Sequence, residues 1–258
     1  MAYTEEQAIH FIYEERNIAH ELQELMLQTF LHGQETANAR AREHLLQGVA
    51  RRIRSLGRSI TNVFELFPPT TKNPLPSGSL ADVQINLHAF LINLSGIFDN
   101  WAWAYVLRHN LESKIGGRRN VGLFLESTRK YLPLELRENL SLKDSSGWHG
   151  DYLKSFRDAL AHRIPPYIPP AQFTPDQGDQ YNSLEVEKVD CIKSMSWTRL
   201  AEIEREQSEI GMPCLTFLHS FGENTAPAVL YLHPQMLTDA RTILEFGNLF
   251  LKVWHKDA

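Results

Sequence analysis

Hydrophobic residues recur at intervals of three and four along most of the chain, which is the pattern of amphipathic helices. Thr4 and Gln7 have the spacing of a capping box, and the run that follows predicts a first helix up to Gly33. Further long helices are predicted over 34–67, 79–110 and 179–210, and from Pro234 towards residue 254. Shorter helices are predicted over 124–131 and 134–140.

Two short apolar segments, 214–218 and 228–232, flank a turn-like sequence at 221–225 and predict a β-hairpin. Because two strands alone are unstable in water, we expect the helices to support this hairpin. The predicted fold is therefore all-α: a bundle of long helices with one small β-hairpin near the C-terminus.

A proline-rich stretch over 164–178 is the best candidate for a boundary within the chain. We predict a helical bundle over 1–172 and a C-terminal helix–hairpin–helix portion over 173–258, packed on the same bundle.

The stretch 147–166 predicts a helix that ends abruptly, because Pro165 cannot continue it. Leu153, Phe156, Leu160 and Ile164 form its apolar stripe, and Arg157 and His162 lie in its last two turns. These two are about 140° apart around the helix and ~7.5 Å apart along it. Asp158 lies one turn before His162 on the same face, where it could orient the imidazole.

Asn86, Asn93 and Asn100 recur at seven residues on the helix 79–110 and share one line along it. Since that helix is otherwise apolar, we expect the three to be mostly buried and hydrogen-bonded. Either a buried seam or the lining of a cleft fits this pattern. Replacing Asn93 by Asp is then expected to cost about 1–3 kcal/mol, through a buried and poorly compensated charge.

The net charge of −5 indicates no general affinity for nucleic acid, so any such surface must be local. The second helix is locally basic, whereas the first carries many glutamates. The two helices could balance each other's charge, or the basic face could follow RNA phosphates. The basic residues are Arg40, Arg42, Arg51, Arg52, Arg54 and Arg58.

Two cysteines, Cys191 and Cys214, form no CxxC pair and no metal pattern with histidine, which is typical of a reducing cytoplasm. The N-terminus lacks an apolar signal core, and the most apolar window, 86–107, contains too many polar residues for a membrane span. We expect a cytoplasmic protein with no membrane association, no metal site and no cofactor.

The hexapeptide from Arg157 to His162 resembles the Arg–polar–spacer–His motif of HEPN domains, which are all-helical and occur in many prokaryotic toxins and RNA-cleaving defence systems. The segments 97–103 and 164–170 also resemble an uncharacterised bacterial group associated with HEPN proteins. The resemblance covers roughly residues 80–170.

The resemblance implies a metal-independent endoribonuclease in a toxin or defence role, with a cognate antitoxin. Arg157 would stabilise charge on the phosphate, His162 would transfer protons, and Asp158 would set the tautomer of His162. Asp99, Asn100 and Arg163 are the candidate binding residues. Many such proteins form their site across a homodimer, and a two-fold axis would place a second Arg157 and His162 opposite the first.

Two alternatives stay open at this point. The motif could bind a nucleotide or a protein partner without catalysis. It could also be purely structural, since both cations suit the C-terminus of a helix.

Overall fold

The computed structural model describes residues 2–142, 147–220 and 226–256, with the backbone alone at positions 151, 255 and 256. The predicted all-α fold with one small hairpin is confirmed. The helices are α1 Glu5–Glu35, α2 Ala39–Glu43, α3 Ala50–Leu66, α4 Ser77–Arg108, α5 Glu112–Ile115, α6 Glu126–Arg129, α7 Leu134–Ser141, α8 Lys154–His162, α9 Pro175–Lys193, α10 Trp197–Ser208 and α11 Leu232–Lys256. Two π-helical segments, π1 (His44–Val49) and π2 (Trp148–Leu153), and a 3₁₀ turn at Arg118–Asn120 complete the helical structure.

Helix α4 lies at the centre of the bundle and packs against α2, π1, α3, α8 and α11. Its apolar residues are buried on most sides, among them Phe90 and Trp101, which are inaccessible to solvent. A helix that is apolar over most of its circumference must be covered by neighbours, which explains its central position. No helix in the described ranges combines the length and the apolar character needed to cross a lipid bilayer.

Helix α1 begins as its sequence predicts, because Thr4 accepts a hydrogen bond from the Gln7 backbone and the Gln7 side chain accepts one from Thr4. Among the described residues, no ion pair within 4.0 Å joins the acidic face of α1 to the basic second helix. Instead Glu14 and Glu21 bind Arg241 of α11 at 3.0 and 2.6 Å. On the second helix, Arg40 pairs with Glu112 at 3.0 Å and Arg58 with Glu65 at 3.9 Å.

Two predicted helices differ from the structure. The second begins at Ala39, where Asn38 caps it, and contains π1 before α3. The helix predicted over 179–210 is two helices, α9 and α10, which separate where Met195 adopts a positive φ of 55°. A left-handed residue interrupts helical hydrogen bonding, and periodicity alone does not reveal it.

The hairpin pairs β1 (Thr216–His219) with β2 (Ala228–Tyr231), close to the predicted strands, while the predicted turn lies outside the described residues. Tyr167, in the proline-rich segment that follows α8, exchanges two backbone hydrogen bonds with Leu218 of β1 at 3.0 and 2.7 Å. The hairpin thus fixes the chain just beyond the helix that carries Arg157 and His162.

Candidate functional site

Helix α8 ends at His162 because Arg163 is extended, with φ −131° and ψ −157°, two residues before Pro165. Leu153 and Phe156 are buried as predicted. Ile164 is 80% exposed, so the predicted apolar stripe stops before it. The reason is that the chain leaves helical geometry at Arg163, and Ile164 no longer shares the face of Phe156.

Arg157 and His162 are both exposed on this short helix. The Arg157 guanidinium donates two hydrogen bonds to Asp158 Oδ1, at 3.2 and 3.1 Å. The structure therefore pairs Asp158 with Arg157, and within the described residues no hydrogen bond joins Asp158 to His162. The tautomer of His162 is not set by Asp158 in this arrangement.

Arg163 points back along α8 rather than towards the motif. Its Nη2 donates to the Ser155 carbonyl at 3.1 Å and to Ser155 Oγ at 3.3 Å, and Oγ also lies 3.0 Å from His219 Nε2. Burial, and then the positive charge of Arg163, lowers the pKa of His219 to about 4, so its imidazole is neutral at pH 7. Arg163 thus connects the end of α8 to the hairpin, and we assign it a structural position.

Asp99 is exposed on α4, and its carboxyl is near enough to Arg157 and Arg52 for both positive charges to act on it. The protein atoms around its carboxyl raise its pKa by desolvation, while Arg157 and Arg52 lower it to a smaller extent. The structure therefore brings the predicted residues Asp99 and Arg157 together, and it adds a third residue from α3.

Asn100 belongs to a hydrogen-bonded cluster centred on Arg52. Arg52 Nε donates to Asn100 Oδ1 at 2.8 Å, and Nη1 donates to Asn93 Oδ1 at 3.0 Å. Asn100 Nδ2 lies 3.3 Å from His44 Nδ1, and His44 stacks on Trp103 with ring centroids 5.9 Å apart. The three asparagines of α4 are hydrogen-bonded as predicted, although they are half-buried rather than mostly buried.

Arg52 is the residue that sequence reasoning did not single out. Two signals pointed towards it: the basic run on the second helix, and a line of asparagines on α4 that required polar partners. Neither signal shows that these two features face each other, because that depends on how α3 packs on α4.

Both π-helical segments flank α4 near residues 98–100. In π1, a Cβ on Gly48 would lie 2.6 Å from Asn100 Cγ, so any larger residue there would have to displace the Asn100 side chain. In π2, His149 stacks on Phe124 at 3.7 Å between ring centroids and contacts Phe98. Burial, followed by the charges of Arg157 and Lys154, lowers the pKa of His149 to about 4. Segments of π-helix are frequent at functional sites.

We define the Arg52–Arg157 surface by Arg52, Asp99, Asn100 and Arg157. Two guanidinium groups from different helices act electrostatically on one carboxylate there, and guanidinium groups are the side chains that bind phosphate oxygens in bidentate geometry. Among the described residues no group of three histidine, cysteine, aspartate or glutamate side chains could bind a metal ion.

A separate cleft lies elsewhere on the molecule. It encloses about 660 Å³ between the N-terminal half of α4, the proline-rich segment and the α9–α10 pair, and it includes His88, Tyr181 and Arg205. None of the predicted site residues lines it. No protein-family model, no curated protein and no solved structure matches this chain.

Proposed function

We propose that this protein is a HEPN-type, metal-independent endoribonuclease that acts as a homodimer. The exposure of Arg157 and His162 on the last two turns of α8 carries the proposal. Phe156 and Ala159 of the same helix are buried, so the helix is anchored in the core while both motif side chains are accessible to an RNA backbone. The resemblance of the motif to HEPN domains supplies the reaction class.

The proposed reaction is transesterification. The RNA 2′-oxygen forms a bond to its own adjacent phosphorus, the bond to the 5′-oxygen breaks, and that oxygen takes up a proton. One His162 accepts the proton of the 2′-hydroxyl, and a second His162 donates a proton to the leaving oxygen. Arg157 stabilises the charge that develops on the phosphorane. The need for a 2′-hydroxyl restricts cleavage to RNA.

The partner in this proposal is a second copy of the chain. Ile164, two residues beyond His162, is 80% exposed, and two isoleucines of α4, the helix on which α8 packs, are also exposed: Ile85 to 63% and Ile92 to 40%. Ile85, Ile92 and Asp99 are seven residues apart and lie close to one line on α4. An isologous interface over this face would bury the isoleucines and bring two motifs together.

A toxin or defence role, a cognate antitoxin and a bacterial cytoplasmic location belong to the same proposal and rest on the resemblance. The second candidate is a non-catalytic nucleotide- or partner-binding module. The pairing of Asp158 with Arg157 favours it, since among the described residues no carboxylate then contacts His162, as one often contacts a general base.

The test is cleavage of a single-stranded RNA by the purified protein in the presence of EDTA. We expect products that end in a 2′,3′-cyclic phosphate, and loss of at least about 100-fold in rate for Arg157→Ala and for His162→Ala. Arg54→Ala and His20→Ala, at exposed positions on α3 and α1, are the matched controls and should retain activity. Cleavage that survives His162→Ala would contradict the proposal, and binding without cleavage would select the second candidate.

A further inference from the structure

Arg52 is restrained before any ligand arrives. Two of its nitrogens donate to the side-chain oxygens of Asn93 and Asn100, at 3.0 and 2.8 Å. Asn93 is itself anchored, because its Nδ2 donates to the Ala89 carbonyl at 2.7 Å. A guanidinium that is already ordered loses little conformational entropy when it binds an anion.

The charge of Arg52 is not neutralised by these contacts, since both acceptors are uncharged amides. Other arginines contact carboxylates directly: Arg40 lies 3.0 Å from Glu112, and Arg199 lies 2.7 Å from Glu187. No ion pair within 4.0 Å involves Arg52 in the described part of the chain. Burial lowers the pKa of Arg52, and Asp99 partly opposes that shift. A half-buried cation with neutral partners is stabilised by an added anion.

Part of the Arg52 guanidinium remains available to a ligand. A Cβ on Gly96 would lie 2.5 Å from Arg52 Cζ and 2.8 Å from Nη2, so the guanidinium lies directly against the backbone of α4. Nη2 makes no hydrogen bond to any described residue, and the side chain retains access to solvent. Planar donors of this kind bind phosphate oxygens in bidentate geometry.

We propose that Arg52, ordered by Asn93 and Asn100, forms a second phosphate-binding site beside Arg157 and contacts a neighbouring phosphate of the same RNA strand. The identification of the strand as RNA rests on the proposed function, whereas the phosphate chemistry does not. Trp103 and His44, both half-buried and stacked on each other, border the site and offer an aromatic surface to a base.

The experiment measures binding of a fluorescent, 2′-O-methylated single-stranded RNA by anisotropy at several salt concentrations. Arg52→Gln should weaken binding about tenfold and reduce the slope of log affinity against log salt by about one. Arg51→Gln is the matched control, because Arg51 is the adjacent exposed arginine. Its loss should change affinity less than about twofold. Equal losses in both variants, or no loss in Arg52→Gln, would overturn the proposal.

A second variant addresses the risk that Arg52→Gln loosens the packing of α3 on α4. Gly96→Ala retains the charge of Arg52 but displaces the guanidinium, because the new methyl group would occupy its position. It should also weaken binding, at a melting temperature that shows the protein is folded. Unchanged affinity in a folded Gly96→Ala protein would contradict the proposed geometry.

Inorganic pyrophosphate separates this inference from the proposed function. If wild type binds pyrophosphate in an Arg52-dependent manner but not RNA, the phosphate site stands and the ribonuclease proposal falls. If the protein cleaves RNA while Arg52→Gln binds the uncleavable strand normally, the ribonuclease proposal stands and the Arg52 site falls. If neither probe binds, the Arg52 site is excluded.

Discussion

Two charged side chains, Asp239 and Arg52, lie beside the two π-helical segments, and each is bound by neutral partners. Asp239 is inaccessible to solvent and accepts hydrogen bonds from Trp148 Nε1 at 3.0 Å, from the Tyr152 hydroxyl at 3.0 Å and from Gln235 at 3.2 Å. Arg52 is half-buried and donates to two asparagines. The sign of the charge and the access to solvent distinguish the two sites.

The sign of the charge and the access to solvent decide whether each site responds to a change of pH or to an added anion. Burial raises the pKa of Asp239 to about 7, although its three donors lower it, so this carboxyl responds by taking up a proton. Arg52 remains protonated at any physiological pH, and its access to solvent allows it to bind an anion instead. The buried Asp239 site stabilises the junction of π2 with α11, whereas the solvent-accessible Arg52 site is suited to a ligand.

The largest expected effect concerns Asp239→Asn. The folded state binds the Asp239 proton more tightly than the unfolded state, so protonation of Asp239 stabilises the fold. This stabilisation is complete below the ordinary pKa of 3.8 and is lost as the pH rises to about 7. Between pH 5 and the folded-state pKa of about 7, the wild-type free energy of unfolding falls by ~1.4 kcal/mol per pH unit. Over these two units the loss is about 3 kcal/mol, and little more is lost up to pH 8. Urea unfolding across this range should show the Asn variant gaining that amount relative to wild type.

The comparison with wild type is essential for this measurement, because buried histidines act in the opposite direction. Burial lowers the pKa of His149, His219 and His233 to about 4, so each destabilises the fold as pH falls below its ordinary value. Both proteins share that effect, and it cancels in the difference. Parallel stability curves for the two proteins would show that Asp239 does not titrate in this range.

The next largest effect is expected from Asn93→Asp, which places a carboxylate against the Arg52 guanidinium. The sequence alone predicted a cost of about 1–3 kcal/mol from an uncompensated charge. Because Arg52 Nη1 lies 3.0 Å from Asn93 Oδ1, the new carboxylate would be compensated, and we now expect less than about 1 kcal/mol. Pyrophosphate binding should fall about tenfold, since the guanidinium is neutralised.

Asn86→Asp is the control for that variant, because Asn86 accepts from the uncharged Asn62 side chain at 2.8 Å. It should cost about 1 kcal/mol more in unfolding free energy than Asn93→Asp and leave pyrophosphate binding unchanged. Equal costs for the two variants would mean that Arg52 does not compensate a charge at position 93.

The smallest effects are expected from two glycines on the same helical run. A Cβ at Gly57 would meet Leu22 at ordinary contact distance, 3.8 Å, so Gly57→Ala should stabilise the protein by about 0.5–1 kcal/mol. At Gly48 the same atom would lie 2.6 Å from Asn100 Cγ, so Gly48→Ala should lower the melting temperature and weaken pyrophosphate binding. A stabilising Gly48→Ala would show that Asn100 moves aside at no cost.

Local sequence was sufficient for most of the secondary structure. The predicted helix 79–110 and the observed α4 differ by two residues at each end, and the Thr4–Gln7 cap and the stop before Pro165 are where the sequence places them. Helical hydrogen bonds and caps join residues a few positions apart, so their determinants are contiguous in the chain. For the same reason, the positions of Arg157 and His162 at the end of one helix could be predicted.

Tertiary packing decided which side chains meet. Arg52 and Asn93 are 41 positions apart, and Trp148 and Asp239 are 91 apart. No periodicity in the sequence encodes such contacts; they exist because α3 packs on α4 and π2 packs on α11. Arg157 donates to the adjacent Asp158, a contact that the helical spacing of Asp158 and His162 did not predict. The sequence therefore determined the helices and the motif, while the positions of charge around the motif followed from the packing of distant segments.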